Sequence, residues 1–320
     1  MKFVQYSILL IICVLWACTK QEVDYSSTEA CQLTEGELPV GKAALLASRI
    51  NNLQEFKSLV RVEYLNGSVL VNSADQAINR VRIEQCANGK KIISILESGL
   101  SQGDISAAKE GNFWDKLSLL FRSPYTIRHR KELKFIQILA RRRYDLFGAT
   151  DVAFYDLAEQ SVKKIKLKQL AYLNPKDGNE KGYINSFNHV TAQALITSIY
   201  NKEFADFIAD VHERHNMPEI IHGRFSETQL KDPNNNPVDN YVDMLNNEWG
   251  QLIGNKLKIK YKLNKKTRWS PELLTAYLND IQQFYVWTFD IEMEPFRTDE
   301  DVIQLFSNKL NVVLSGEVDD

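Results

Sequence analysis

Several features are missing from this sequence, and each absence narrows the reading. Beyond its N-terminal start, no stretch approaches the ~20 apolar residues that a membrane-spanning helix needs. There is no internal repeat and no long low-complexity tract, which removes solenoid arrays. The net charge of −2 gives no pull toward nucleic acid. No glycine-flanked serine elbow and no cysteine placed as a nucleophile is present. Histidine is scarce, with five in 320 residues. Four of these, His189, His212, His215 and His222, fall in one short region, and they do not spell the H-E-x-x-H zinc motif.

What is present begins with MKFVQYSILLIICVLWACTK. A lysine, a short apolar segment from Tyr6 to Ala17 and a small residue before Cys18 describe a secretory leader, residues 1–17. Leu15-Trp16-Ala17-Cys18 resembles the lipobox of bacterial lipoproteins, in which that cysteine carries the lipid. Trp16 departs from the small or β-branched residue usual there. The resemblance implies lipidation of Cys18, a membrane partner reached through that lipid and a cell-envelope location. Thr19, after the cysteine, points to the outer membrane under the sorting rule of other bacteria. Residues 18–39 are polar and read as a flexible tether. In an exported chain Cys31 and Cys86 are an even pair and candidates for a disulfide; two free thiols is the other reading.

The remaining ~280 residues suffice for two domains or one large one. The expected fold class is α+β and mostly helical, with small antiparallel β-hairpins in an N-terminal region, 40–172, and a helical domain over 173–320. Residues 40–59 read as a helix. Two β-rich pairs turn at Asn66-Gly67 and Asn88-Gly89, each a strong hairpin signal. Residues 128–143 form a basic helix, with Leu133, Ile136 and Ala140 on one face. Its basic side is a solvated face paired with acidic neighbours, or a contact for anionic lipid or glycan. Helical patterns follow over 185–200, 202–216 and 238–257. LKIKYKL, 257–263, alternates strictly and reads as a half-buried strand. Ser270-Pro271 opens a further helix, and the last segment, 299–312, is helical.

The three central helices carry the candidate chemistry. Asn185, His189 and Gln193 lie at i, i+4, i+8 on one face. In the next helix, a stripe of Phe204, Phe207, Ile208 and Val211 puts His212 and His215 inward and Glu213 outward. In the third, Val238, Val242, Leu245, Trp249 and Leu252 face the core, bordered by Asp243 and Asn246. Gly250 and Gly254, each costing ~1 kcal/mol within a helix, mark a close backbone approach to the helix of His189. That approach brings Asp243 and Asn246 toward His189 and His212.

The stretches Asn185-Ser186-Phe187-Asn188-His189, His212-Glu213 and Asp243-Met244-Leu245-Asn246-Asn247 with Gly250 resemble an uncharacterised bacterial helical domain. Its pattern runs NAFRHALWNA, HE, MDLHNNxxGR and covers residues 183–257 here. The resemblance places His189, His212, Glu213, Asp243, Asn246 and Asn247 on the characteristic positions. Asn188 and Gln251 stand where that pattern has arginine, and the first motif lacks its tryptophan. No reaction comes with the resemblance.

Three uses of these residues are open. His189, His212 and Asp243 can hold a divalent transition metal such as zinc with one open position, Glu213 serving as base. Asp243 can instead orient His189 or His212 as a general base without metal. Or Asn185, His189, His212, Asp243 and Asn246 satisfy one another as a buried network. The expected function is a lipid-anchored envelope protein whose helical domain binds or scaffolds a protein or glycan partner. The alternative is a metal-dependent or acid–base hydrolase.

Overall fold

The computed structural model describes residues 43–66, 69–70, 79–87, 89–112, 118–119, 122–231 and 237–318. Cys18, Cys31, the leader, the tether, Gly67 and Asn88 lie outside them. The chain is a mostly helical α+β protein. Four antiparallel strands, β1 (Arg61–Asn66), β2 (Val69–Leu70), β3 (Arg80–Ala87) and β4 (Lys90–Glu97), form one sheet in the order β2-β1-β3-β4. Gly89 at the second hairpin turn has φ +67°, a conformation that glycine adopts without steric cost. Cys86, on β3, is disulfide-bonded, and every other cysteine lies outside the described residues.

Helices α1 (Leu53–Leu59) and α2 (Gln102–Glu110) flank the sheet. Then follow α3 (Pro124–Arg128), α4 (Arg130–Leu139), α5 (Tyr144–Phe147), α6 (Phe154–Lys163), α7 (Lys168–Ala171), α8 (Tyr183–Ile199) and α9 (Lys202–Asn216). The chain closes with α10 (Pro218–His222), α11 (Glu227–Lys231), α12 (Pro237–Tyr261), α13 (Pro271–Phe289) and α14 (Asp301–Ser315). On α4, Phe135, Ile136, Ile138 and Leu139 are buried, and the basic residues beyond it find acids: Arg142 pairs with Asp156 and Arg143 with Asp145.

Two apolar cores meet at α12. The sheet packs Val81, Ile83 and Leu96 against Tyr241, Leu245 and Trp249 of α12, and the Trp249 indole donates to Gln85 Oε1 at 2.8 Å. The other core surrounds α8, where Phe187 stacks on Tyr285 of α13 with ring centroids 3.8 Å apart. The Tyr285 hydroxyl donates to the Phe187 carbonyl at 3.0 Å. The far end of this core is tied by a buried ion pair, Lys309 Nζ to Asp151 Oδ2 at 2.8 Å.

Two expectations fail here for identifiable reasons. Residues 40–59 do not form one helix: a 3₁₀ turn, Ala47–Arg49, precedes α1. Tertiary bonds outcompete helix propensity, because Ala44 N–H goes to Thr288 Oγ1, Leu45 N–H to Asn246 Oδ1 and Ser48 N–H to the Lys181 carbonyl. Asn52 then caps α1 by accepting from Glu55 N–H. LKIKYKL is not a strand either; α12 runs through it to Tyr261. Leu257 and Tyr261, four apart, face inward, while Ile259 is 79% exposed. The lysines find partners on other segments, Lys258 on the Tyr200 carbonyl and Lys260 on Asp280. The alternation was a coincidence of composition.

The expected close approach of α12 to α8 is present. A Cβ on Gly250 would lie 2.6 Å from the Val190 carbonyl oxygen, and one on Gly254 2.5 Å from that of Ala194. Gly250→Ala is therefore expected to lower stability by about 1–3 kcal/mol through overpacking, read as a shifted urea midpoint at unchanged slope. A variant as stable as the parent would show that the two helices do not depend on this closeness.

Candidate functional site

The crossing sets side chains from α8, α9 and α12 against one another. His189 on α8 places Nε2 3.3 Å from Asp243 Oδ2 and Nδ1 3.8 Å from Glu213 Oε1. Asn247, one helical turn beyond Asp243, links the group: its Oδ1 lies 2.9 Å from His189 Nδ1, and its Nδ2 donates to Glu213 Oε1 at 3.1 Å. Because the amide NH₂ is committed to Glu213, the carbonyl faces His189, so Nδ1 carries the proton and donates. Nε2 then faces the Asp243 carboxyl. On the other side, Asn185 Nδ2 donates to Asp243 Oδ1 at 2.7 Å.

The group is enclosed but open at one edge. The side chains of His189, Asp243 and Glu213 are 12%, 11% and 2% exposed. Burial, and then the charge of Asp243, pushes the Glu213 carboxyl up to about 8. Burial, and then the charge of Asp239, raises Asp243 well above the usual carboxylate range, against the pull of the Asn185 hydrogen bond and Lys181. Glu213 Oε2 is buried without a hydrogen-bond partner among the described residues. One donor atom each from His189, Glu213 and Asp243 lie within 4.8 Å of one another, so these three can hold a metal ion.

The other expected residues are placed differently. On α9 the orientation is reversed: Glu213 is buried, and His212 and His215 are exposed. Ala205 and Ala209 are buried against the neighbouring helices, and the i, i+4, i+8 row from Ala205 leads to Glu213. That row of small residues was the available signal; including the half-buried Phe207 in the stripe rotates the inner face away from it. His212 stands at the rim, its Nδ1 3.0 Å from Gln102 Oε1 and its ring 6.2 Å from that of His189. Crowding by protein atoms on the side away from solvent, then the neighbouring His189 and His215, lowers its pKa below the ordinary imidazole value. His222 ends α10 exposed to solvent.

Asn246 serves the fold. Its side chain pairs with the backbone of Leu45 in both directions, accepting at 3.0 Å and donating at 3.0 Å, and also donates to Ser186 Oγ. A further cluster on the α9–α12 seam was not singled out from sequence. Lys202 Nζ reaches Asp206, Glu248 and Gln251 within 3.0 Å, and Gln251 Nε2 donates to Gln193 Oε1. Only the lysine at the start of α9, four residues before Asp206, pointed to it.

Set beside known proteins, the chain matches no family model, no curated protein and no solved structure.

These placements separate two kinds of residue. Asn246→Ala leaves the Leu45 N–H without its acceptor, the carbonyl keeping the Ser186 hydroxyl, and is expected to cost about 1–3 kcal/mol. His212→Ala, at an exposed rim, is expected to stay within about 0.5 kcal/mol of the parent. Urea unfolding of both variants decides; the reverse order would move His212 into the structural network and Asn246 out of it.

Proposed function

We propose that this protein is a lipid-anchored component of a bacterial cell envelope, sited at the outer membrane, and that its helical body is a binding module. The ligand cleft is the edge-open group His189, Glu213 and Asp243. The observation that supports this reading is the convergence of three ionisable side chains from three helices on one point. They are held in orientation by Asn185 and Asn247, and Glu213 Oε2 has no hydrogen-bond partner among the described residues. An unmet buried acceptor costs about 1–3 kcal/mol, which a bound ligand would recover. The resemblance of the three motifs to an uncharacterised bacterial helical domain points to the same residues.

The lipobox-like Leu15-Trp16-Ala17-Cys18 supports the anchor. No helix among the described residues is long and apolar enough to cross a membrane, and in this reading the lipid on Cys18 carries the attachment. One acyl chain holds weakly at ~0.8 kcal/mol per buried CH₂, so several chains on one cysteine are what make it durable. The polar tether of 18–39 would let the helical body stand off the bilayer and meet a protein or glycan partner.

A hydrolase is the second reading, and His212 favours it. An imidazole at the rim, held by Gln102 and 6.2 Å from the His189 ring, is placed to exchange a proton with a ligand in the cleft.

Two measurements test the proposal. Cys18→Ser is expected to move the protein from the membrane to the soluble fraction; retention on membranes after a high-salt wash would defeat the anchor. Diethylpyrocarbonate labelling mapped by mass spectrometry tests the cleft. His189 is expected to react, more slowly than the exposed His212. An unreactive His189 in the folded protein would mean that the group is sealed and that the binding reading is wrong.

A further inference from the structure

The buried carboxyl groups of this molecule differ in how their charge is balanced. Asp151 has Lys309, with both side chains almost fully enclosed. Asp206 and Glu248 share Lys202. Glu213 and Asp243 have no lysine or arginine within ion-pair distance among the described residues; the imidazole of His189 touches both, while Lys181, itself paired with Asp239, acts on Asp243 from further off. Two carboxyl groups therefore converge without a permanent positive charge in direct contact, in a place where an unpaired buried charge is costly.

The hydrogen bonds around this group favour a cation. Asn247 orients the His189 ring, with Nδ1 2.9 Å from the amide carbonyl oxygen and Nε2 3.3 Å from Asp243 Oδ2. An imidazole that binds a metal commonly donates its other N–H to a carbonyl or carboxylate, which sets the ring angle and raises ligand basicity. Asp243 is braced in turn by Asn185 at 2.7 Å. Glu213 has one oxygen held by Asn247 and the other, Oε2, buried and without a partner among the described residues.

We propose that His189, Glu213 and Asp243 form a binding site for one divalent transition-metal ion, zinc in the first instance, with Asn185 and Asn247 orienting the ligands. One nitrogen and two carboxylate oxygens suit zinc, and zinc binds such donors at ~2.0–2.2 Å. The donor atoms lie within 4.8 Å of one another, so the group contracts by roughly 1 Å as the ion enters. The imidazole favours a transition metal over magnesium, which prefers oxygen ligands and water. His212, at the rim, is outside the ligand set. This assignment rests on the reading of the cleft as a ligand site and names the ligand.

The test uses the full chain purified in detergent, stripped with chelator and titrated with zinc, manganese or magnesium chloride. Bound metal is measured by mass spectrometry and calorimetry, and diethylpyrocarbonate labelling is followed in parallel. Zinc is expected to bind at about one ion per chain with magnesium far weaker, and to protect His189 from labelling while His212 still reacts. Glu213→Gln keeps the shape and the Asn247 contact but removes the charge, and is expected to weaken zinc by more than about tenfold. Asn247→Ala should weaken it by about 10–100-fold, and His212→Ala should leave it unchanged. Circular dichroism confirms that each variant is folded. If His189 labels readily but zinc neither binds nor protects it, the metal assignment falls and the cleft remains. If His189 does not label at all, the cleft reading falls with it. Zinc binding that persists through both His189→Ala and Glu213→Gln places the ion elsewhere and overturns the site.

Discussion

Everything distinctive in this molecule depends on how closely α12 lies against α8. Side chains at positions 250 and 254 would strike the carbonyl oxygens of Val190 and Ala194, so glycine at both is the condition for the crossing. Each glycine costs about 1 kcal/mol of helix propensity. The return is the overlap of two long buried helices, with the sheet packed on one side of α12 and α13 stacked on α8. One turn before Gly250 sits Asn247, and one turn before that Asp243. The glycine pair therefore also sets the distance at which those two meet His189. Packing and site geometry are one constraint.

The third helix turns that contact into an enclosed group. α9 lies along the α8–α12 seam with Ala205 and Ala209 inward, and small residues there let Glu213 come within reach of Asn247 and His189. The N-terminal segment adds the support from behind. Residues 43–50 are held to the helices by Asn246, Ser186 and Thr288, so the 246 side chain works for the fold while its neighbour at 247 bridges His189 and Glu213.

Much of this was legible in the sequence. The asparagine–glycine hairpins, the three central helices, the i, i+4 row of Asn185 and His189, and the glycine-mediated crossing all rest on local rules of turn chemistry and helical periodicity. The places where sequence reasoning failed share one cause, competition from partners far along the chain. Residues 43–50 leave helical geometry because Thr288 and Asn246 accept the N–H groups of Ala44 and Leu45. LKIKYKL alternates, yet it continues α12, with Lys258 on the Tyr200 carbonyl and Lys260 on Asp280. On α9 a difference of one position, read through Phe207, exchanged the roles of His212 and Glu213. A helix face is fixed only to within about one residue by pattern, and here that residue separates a buried carboxyl from an exposed imidazole.

The central claim is that His189, Glu213 and Asp243 act together on one ligand. Its most direct test is a crystal structure of the zinc-soaked protein with diffraction recorded on both sides of the zinc absorption edge. The account predicts a single strong anomalous peak within about 2–2.3 Å of a donor atom from each of the three residues. It also predicts Asn247 still bridging His189 and Glu213. A map with no peak between these side chains, or with the ion on the surface histidines His212 and His215, would contradict it.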